Sequence, residues 1–151
     1  MPDPRRADRA AATPATLASA APAPPAAGGP EAQYRAFLRA GRFMVQRSRS
    51  TGRHVFYPRL AAPGTGETDL EWVEASGLGT VHATTVNRTR EGAYNICLVE
   101  LDEGPRLMSR VEGIAPEAVR IGMRVRARIA QGGGGGSAGA AEPILLFDPV
   151  A

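Results

Sequence analysis

A chain of 151 residues, 43% hydrophobic and 22% charged, is long enough for one domain with a real core and a small appendage, and too short for two full domains. Its basic residues are all arginine. Residues 1–42 hold six of them against three acids and residues 43–151 hold twelve against twelve, so the net charge of +3 leaves the body neutral, without the one-signed field of a phosphate-backbone binder. No run approaches the ~18 apolar residues that span a bilayer, and the lone Cys97 excludes a disulfide framework and a cysteine-based zinc site, which reads as a soluble, cytoplasmic protein with no membrane contact.

Residues 1–30 are dominated by Ala, Pro, Gly and Thr with almost no large apolar side chain, a composition expected to stay disordered. Residues 31–43 read as a short amphipathic helix: Tyr34, Phe37 and Leu38 fall at i, i+3, i+4, and Arg35, Arg39 and Arg42 take another face. Pro30 marks its start and Gly41 its end. The apolar stripe either packs on its own domain or docks on a partner.

Residues 44–68 look like a zinc ribbon without its ligands. Ser48 and Thr51, with Gly52 following, stand where a first knuckle has C-x-x-C-G; Ala62 and Thr65, with Pro63 between and Gly66 after, stand where a second has C-P-x-C-G. Hydroxyls are poor zinc ligands near neutral pH and alanine offers no donor, so these four positions predict no metal, and His54 alone supplies a single imidazole. Structural zinc contributes on the order of 10 kcal/mol to small modules. Without it, the ribbon needs an apolar cluster against the rest of the fold, for which Phe43, Val45, Val55, Phe56, Tyr57, Leu60 and Trp72 are the candidates.

Between the knuckles, residues 53–60 predict a short strand or hairpin stopped by Pro58. Strands follow over 70–75, 78–87, 94–101, 106–112, 123–130 and 144–147, with turn signals between them and room for one helical turn at 116–120. Within 123–130 the alternation is strict: Val125, Ala127 and Ile129 face a core and Arg124, Arg126 and Arg128 face water. The run Ile96-Cys97-Leu98-Val99 is apolar on both faces, which calls for a cover on its outer side. Residues 131–141 form a flexible glycine loop before the last strand. Five strands with one short helix between the third and fourth is the layout of an OB-fold barrel, here over 69–151, and the chain as a whole reads as mainly β.

These segments resemble a family of small bacterial and archaeal proteins that join a rubredoxin-like zinc ribbon to an OB-fold and accompany acyl-CoA enzymes. DLEWVEASGLGTVHATTV (69–86) is similar to the family's first strand. NICLVELDEGPRLMSRVEG (95–113) and IGMRVRARI (121–129) are similar to its LxELDEGPRLxSxV and IGMxVxV stretches, and GRHVFYPR (52–59) resembles its G-x-x-x-F-P-P-R loop between knuckles. The resemblance implies a five-stranded OB-fold barrel preceded by the helix and a metal-free ribbon. It implies a non-catalytic accessory subunit that binds no cofactor of its own and works beside a thiolase, an acyltransferase or aldolase, or a hotdog-fold hydratase, with a coenzyme A thioester as the substrate of the complex. Contact with CoA or with the partner then falls to Phe56, Tyr57 and Arg59, and docking to Tyr34, Phe37 and Leu38.

Other chemistry is sparse. A Cys97/His82 dyad is opposed by the apolar run around the cysteine. Asp102 and Glu103 sit in a tight turn where acids are ordinarily solvated, and the pentaglycine run lacks the Lys-Ser/Thr of a P-loop. Single-stranded nucleic acid is the main competing ligand for an OB-fold, but Trp72, Tyr94 and Phe147 are not interleaved with the arginine strand as a stacking platform requires. Those arginines are better paired with Glu100, Asp102 or Glu112, and Arg59 has Glu71 or Glu74 as alternatives to a ligand phosphate.

Overall fold

The structure is a computed structural model that describes residues 28–132 and 142–151. The tail expected over 1–30 and the glycine loop expected over 131–141 lie outside the described residues, except at 28–30 and 131–132. Among the described residues no helix is long and apolar enough to cross a membrane.

Helix α1 spans Pro30–Arg39, with proline in its first turn and Gly29 as N-cap. It stops short of the expected residue 43 because Gly41 takes φ 76°, a left-handed conformation that costs glycine little. Gly41 N–H then bonds Leu38 C=O (2.9 Å) and Arg42 N–H bonds Phe37 C=O (2.9 Å), the Schellman pattern that caps the last carbonyls. Phe43 is thereby freed from the helix and leads directly into the strand that begins at Met44.

Strands β1 (Met44–Ser48), β2 (His54–Val55) and β3 (Leu70–Glu74) form a three-stranded antiparallel sheet in the order β2-β1-β3. The residues expected to open the barrel at 70–74 instead pair with β1 in this smaller sheet, in register Met44↔Glu74 through Ser48↔Leu70. The expected strand over 53–60 shrinks to two residues. Beyond Val55 the chain turns outward as a loop, which the prolines and glycines downstream favour.

A second sheet holds β4 (Leu78–Thr89), β5 (Gly92–Leu101), β6 (Arg106–Ser109), β7 (Arg124–Gln131) and β8 (Pro143–Pro149), in the order β6-β5-β4-β7-β8. Pro116–Ala118 makes a 3-10 turn between β6 and β7. The sheet curls, and a parallel bridge between Val111 and Phe147 ties its two ends, as an OB-fold requires. The sixth strand ends at Ser109 rather than 112. Past it, the buried Asn95 side chain takes over the pairing, donating to Val111 C=O (2.6 Å) and accepting from Val111 N–H (2.8 Å). Gly79 lies so close to β5 that a Cβ there would sit 2.7 Å from Glu100 O.

One core runs through both sheets. Phe43 and Val45 pack with Val81, Val99, Leu101, Val125 and Phe147 in the barrel. Met44, on the opposite face of β1, packs with Phe37 of α1 and Trp72 of β3. This is the two-residue alternation of a strand buried on both sides. The apolar cluster expected for residues 44–68 is therefore split between these two cores, and three of its candidates stay outside both: Val55 is buried but joins neither, Tyr57 is 57% exposed and Leu60 76%.

Candidate functional site

Three elements meet at a groove of about 430 Å³: Tyr34 and Leu38 of α1, Phe56, Tyr57 and Pro58 of the ribbon loop, and Ile144 of β8 line it. The two residue sets singled out in the sequence thus adjoin. Tyr34 and Phe56 rings meet edge-on with centroids 5.6 Å apart, and Phe56 and Tyr57 lie 4.9 Å apart. Burial, and secondarily the neighbouring Tyr57, holds the Tyr34 phenol well above the usual tyrosine range, so it stays a neutral hydroxyl. Arg35 pairs with Glu31 (2.8 Å) and Arg39 with Glu142 (2.7 Å) beside the groove. An apolar cleft of this size with polar groups at its rim is ordinary for a ligand or partner contact.

Phe37 is not on that surface. It is 2% exposed, its ring lies 5.4 Å from that of Trp72, and Trp72 Nε1 donates to Gln33 (2.9 Å). Of the three helix residues read as docking positions, Phe37 is spent inside the chain, and Leu38 reaches the groove only as a largely buried wall.

The loop tip is held from below. Gln46 is 5% exposed, and its side-chain amide donates to Arg59 C=O (2.8 Å) and accepts from Arg59 N–H (2.6 Å). This fixes the backbone after Pro58 while the side chains of Tyr57, Arg59 and Leu60 remain exposed. Neither expected alternative partner takes Arg59. Glu71 binds Arg47 (2.7 Å) and Arg49 (3.3 Å), and Glu74 binds Arg42 (3.4 Å). Among the described residues Arg59 makes no ion pair. Gln46 was missed in the sequence, although its place next to the apolar run Phe43-Met44-Val45 was a signal.

Ser48, Thr51, Ala62 and Thr65 do converge, on the wall of one cavity of about 420 Å³ that His54 also lines. Their donors do not suit zinc. Ser48 Oγ is engaged with Asp69 (3.2 and 3.3 Å), Thr51 Oγ1 accepts from Arg53 N–H (3.3 Å), Thr65 Oγ1 accepts from Glu67 N–H (3.4 Å), and Ala62 has none. Hydrogen bonds from Ser50 hold the Asp69 carboxyl below the usual carboxylate range. Among the described residues no three His, Cys, Asp or Glu side chains gather in a metal-binding arrangement.

The remaining candidates resolve into structure. Cys97 Sγ lies 3.1 Å from Asn95 Oδ1 and 3.4 Å from Thr84 Oγ1, whereas His82 stands exposed at the irregularity where β4 slips against β5, so the two form no dyad. Arg124 grips Asp102 through both carboxylate oxygens (2.7 and 2.8 Å), and its guanidinium pulls the Asp102 pKa down. Arg128 holds Asp148 (2.7 Å) and Glu112 (3.0 Å). Two of the three strand arginines are neutralised by neighbours, one of which, Asp148, the sequence reading missed. Glu100 pairs with Arg106 instead. On the outer face of β5 and β6, Leu98 and the Met108 opposite it are 40% and 61% exposed, so the expected cover for this strip is not supplied by the described residues.

Comparison with known proteins agrees with this geometry. Residues 72–130 match the family model described as ChsH2, C-terminal OB-fold domain. The chain superposes on a solved chain titled "Ltp2-ChsH2(DUF35) aldolase" with a TM-score of 0.68 and 29% identity, covering 83% of this chain and 98% of that one. It is 38% identical over 91 residues to a probable enoyl-CoA hydratase alpha subunit of Thermomonospora curvata, a match covering 56% of this chain and 28% of that protein. It is 30% identical over 79 residues to a DUF35 domain-containing scaffold protein of Pyrococcus furiosus, covering 48% of this chain and 58% of the relative. The chain thus spans less than two thirds of either curated relative. Residues 72–130, from Trp72 in β3 to Ala130 in β7, are thus similar to the ChsH2 C-terminal OB-fold domain, and the five-stranded sheet that most of them build has the OB-fold layout.

Proposed function

We propose that the chain is a non-catalytic accessory subunit of a hetero-oligomeric acyl-CoA-processing enzyme, with a thiolase-like enzyme (a β-ketoacyl-CoA thiolase, acyltransferase or aldolase) as the catalytic partner. The observation that carries this reading is the groove. A helix residue, Tyr34, props an aromatic loop whose tip is pinned by Gln46 yet leaves Tyr57, Arg59 and Leu60 exposed. Exposed Tyr and Arg on a rigid backbone are what binding hot spots are made of, because little side-chain and loop entropy is lost on contact. The likeness to a chain from an aldolase assembly supports a thiolase-like partner. The missing nucleophile supports the non-catalytic role, since Cys97 is 1% exposed and apart from His82.

In this reading the subunit binds no cofactor itself. The coenzyme A thioester belongs to the shared interface, where Arg59 offers a bidentate donor to a phosphate or a partner carboxylate. A second reading, a subunit of a hotdog-fold hydratase complex, is supported by the hydratase name of a relative. Nucleic acid is disfavoured by the neutralised arginine strand.

Co-expression with the enzymes encoded beside it, followed by light scattering on the purified complex, tests the proposal. A stoichiometric thiolase-fold partner supports the first reading and a hydratase the second. Turnover of an acyl-CoA by the isolated chain would refute the accessory role.

A further inference from the structure

The two knuckles are joined by contacts that the groove does not use. In the first knuckle, Ser48 Oγ donates to both carboxylate oxygens of Asp69 (3.2 and 3.3 Å), Ser50 N–H donates to Asp69 Oδ2 (2.7 Å), and Arg49 N–H donates to Asp69 C=O (3.3 Å). Ser50 Oγ also donates to Glu67 Oε2. Asp69 and Glu67 follow directly on the second knuckle, which is closed by Ala62 N–H to Glu67 C=O (2.8 Å) and Gly66 N–H to Ala62 C=O (2.9 Å). Every bond from these two acids to residues 48–50 therefore ties the first knuckle to the segment that leaves the second, and Ser48 also lines the cavity that it shares with Thr51, Ala62 and Thr65.

In a four-thiolate ribbon the ion makes that tie by bonding both loops at once. We propose that this ribbon is a metal-independent module in which the carboxylates of Asp69 and Glu67 cross-link the two knuckles in place of an ion. Bonds from hydroxyl and amide donors to an ionised carboxylate are about twice as strong as neutral ones, and several converge on Asp69. Ser48 serves this arrangement directly. The side chain at a former ligand position is 1% exposed and now donates to a carboxylate within the protein.

The test is amide hydrogen exchange on the full chain, read at Ser50, Thr51 and Gly52, with metal content measured on the same sample. Asp69→Ala is expected to speed exchange there about tenfold or more, the loss of roughly one to two charge-assisted bonds, while Val81 and Val99 in the barrel keep their protection. Excess chelator leaves the unmodified protein unchanged. In a chain carrying Ser48→Cys, Thr51→Cys, Ala62→Cys and Thr65→Cys, zinc restores the protection that Asp69→Ala removes, because ion and carboxylate do the same job. Stoichiometric zinc in the unmodified chain, protection lost to chelator, an Asp69→Ala chain that exchanges like its parent, or absence of rescue in the four-cysteine chain would each overturn the proposal.

Discussion

Gln46 and Arg59 are paired side chain to backbone, the amide of one satisfying both the N–H and the C=O of the other (2.6 and 2.8 Å). The pair separates two roles that a single loop substitution would confuse. Gln46→Ala leaves two part-buried backbone groups without a partner and is expected to cost about 1–3 kcal/mol in denaturant unfolding. Arg59→Ala removes only an exposed side chain and should shift stability by no more than about 0.5 kcal/mol. In the complex, Arg59→Ala is expected to weaken partner affinity by about tenfold or more, as titration calorimetry would read it.

The Phe37 side chain fills the space between α1 and Trp72, the only tryptophan in the chain. Phe37→Ala should cost about 3–5 kcal/mol through lost burial and the cavity left behind. The indole would become wetter, so its emission should move to longer wavelength in the folded state. Unchanged emission and stability would contradict the packing described for Met44, Phe37 and Trp72.

At Gly79 an added Cβ would lie 2.7 Å from Glu100 O and 2.8 Å from Val99 Cγ1, with backbone rather than a flexible tip in the way. Gly79→Ala is therefore expected to destabilise by about 1–3 kcal/mol or more, as overpacking does. Gly64→Ala makes a useful contrast. Its Cβ meets nothing within 4 Å, so any cost there reports the positive φ of 85° alone. Thermal unfolding of both variants checks the ordering.

Glu71 is held below its ordinary pKa, first by the hydrogen bond from Arg47 and then by the charges of Arg47 and Arg49. A depressed carboxylate contributes stability above its unfolded value, near ~4.3, and loses it as pH falls through the folded value. Asp102, lowered by Arg124, acts in the same direction. The melting temperature should therefore hold between neutral pH and about 5 and fall below about 4. Glu71→Gln should flatten part of that fall, and high salt should shrink the share of the exposed Arg124–Asp102 pair more than that of Glu71, whose side chain is only 15% exposed.

Much of the architecture could be read from local pattern. Alternation at Val125, Ala127 and Ile129 against Arg124, Arg126 and Arg128 placed one face of β7 in the core, and the turn residues separated the strands. The proline and glycine at 30 and 41 bracketed α1. Spacing reports neighbours on one element and says little about contacts across a loop. That is why Gln46 with Arg59, Asp69 with Ser48, and Asn95 with Val111 were not foreseen: each joins a side chain to groups at least 13 residues away. The pairing of 70–74 with β1 was not foreseen for a related reason. A strand's pattern gives its faces but not which edge it will share.

Phe43, just ahead of β1, and Val45 within it lie in the barrel core while Met44 lies beneath the helix, so the border between the two sheets runs along the two sides of a single short segment. Cutting the chain at Trp72 to liberate the OB portion would strip two plugs from its interior and leave a hole open to solvent. The segment that looks like an appendix in the sequence is a wall of the main body. Any grafted or shortened version of this scaffold has to carry residues 43–48 with it to remain folded.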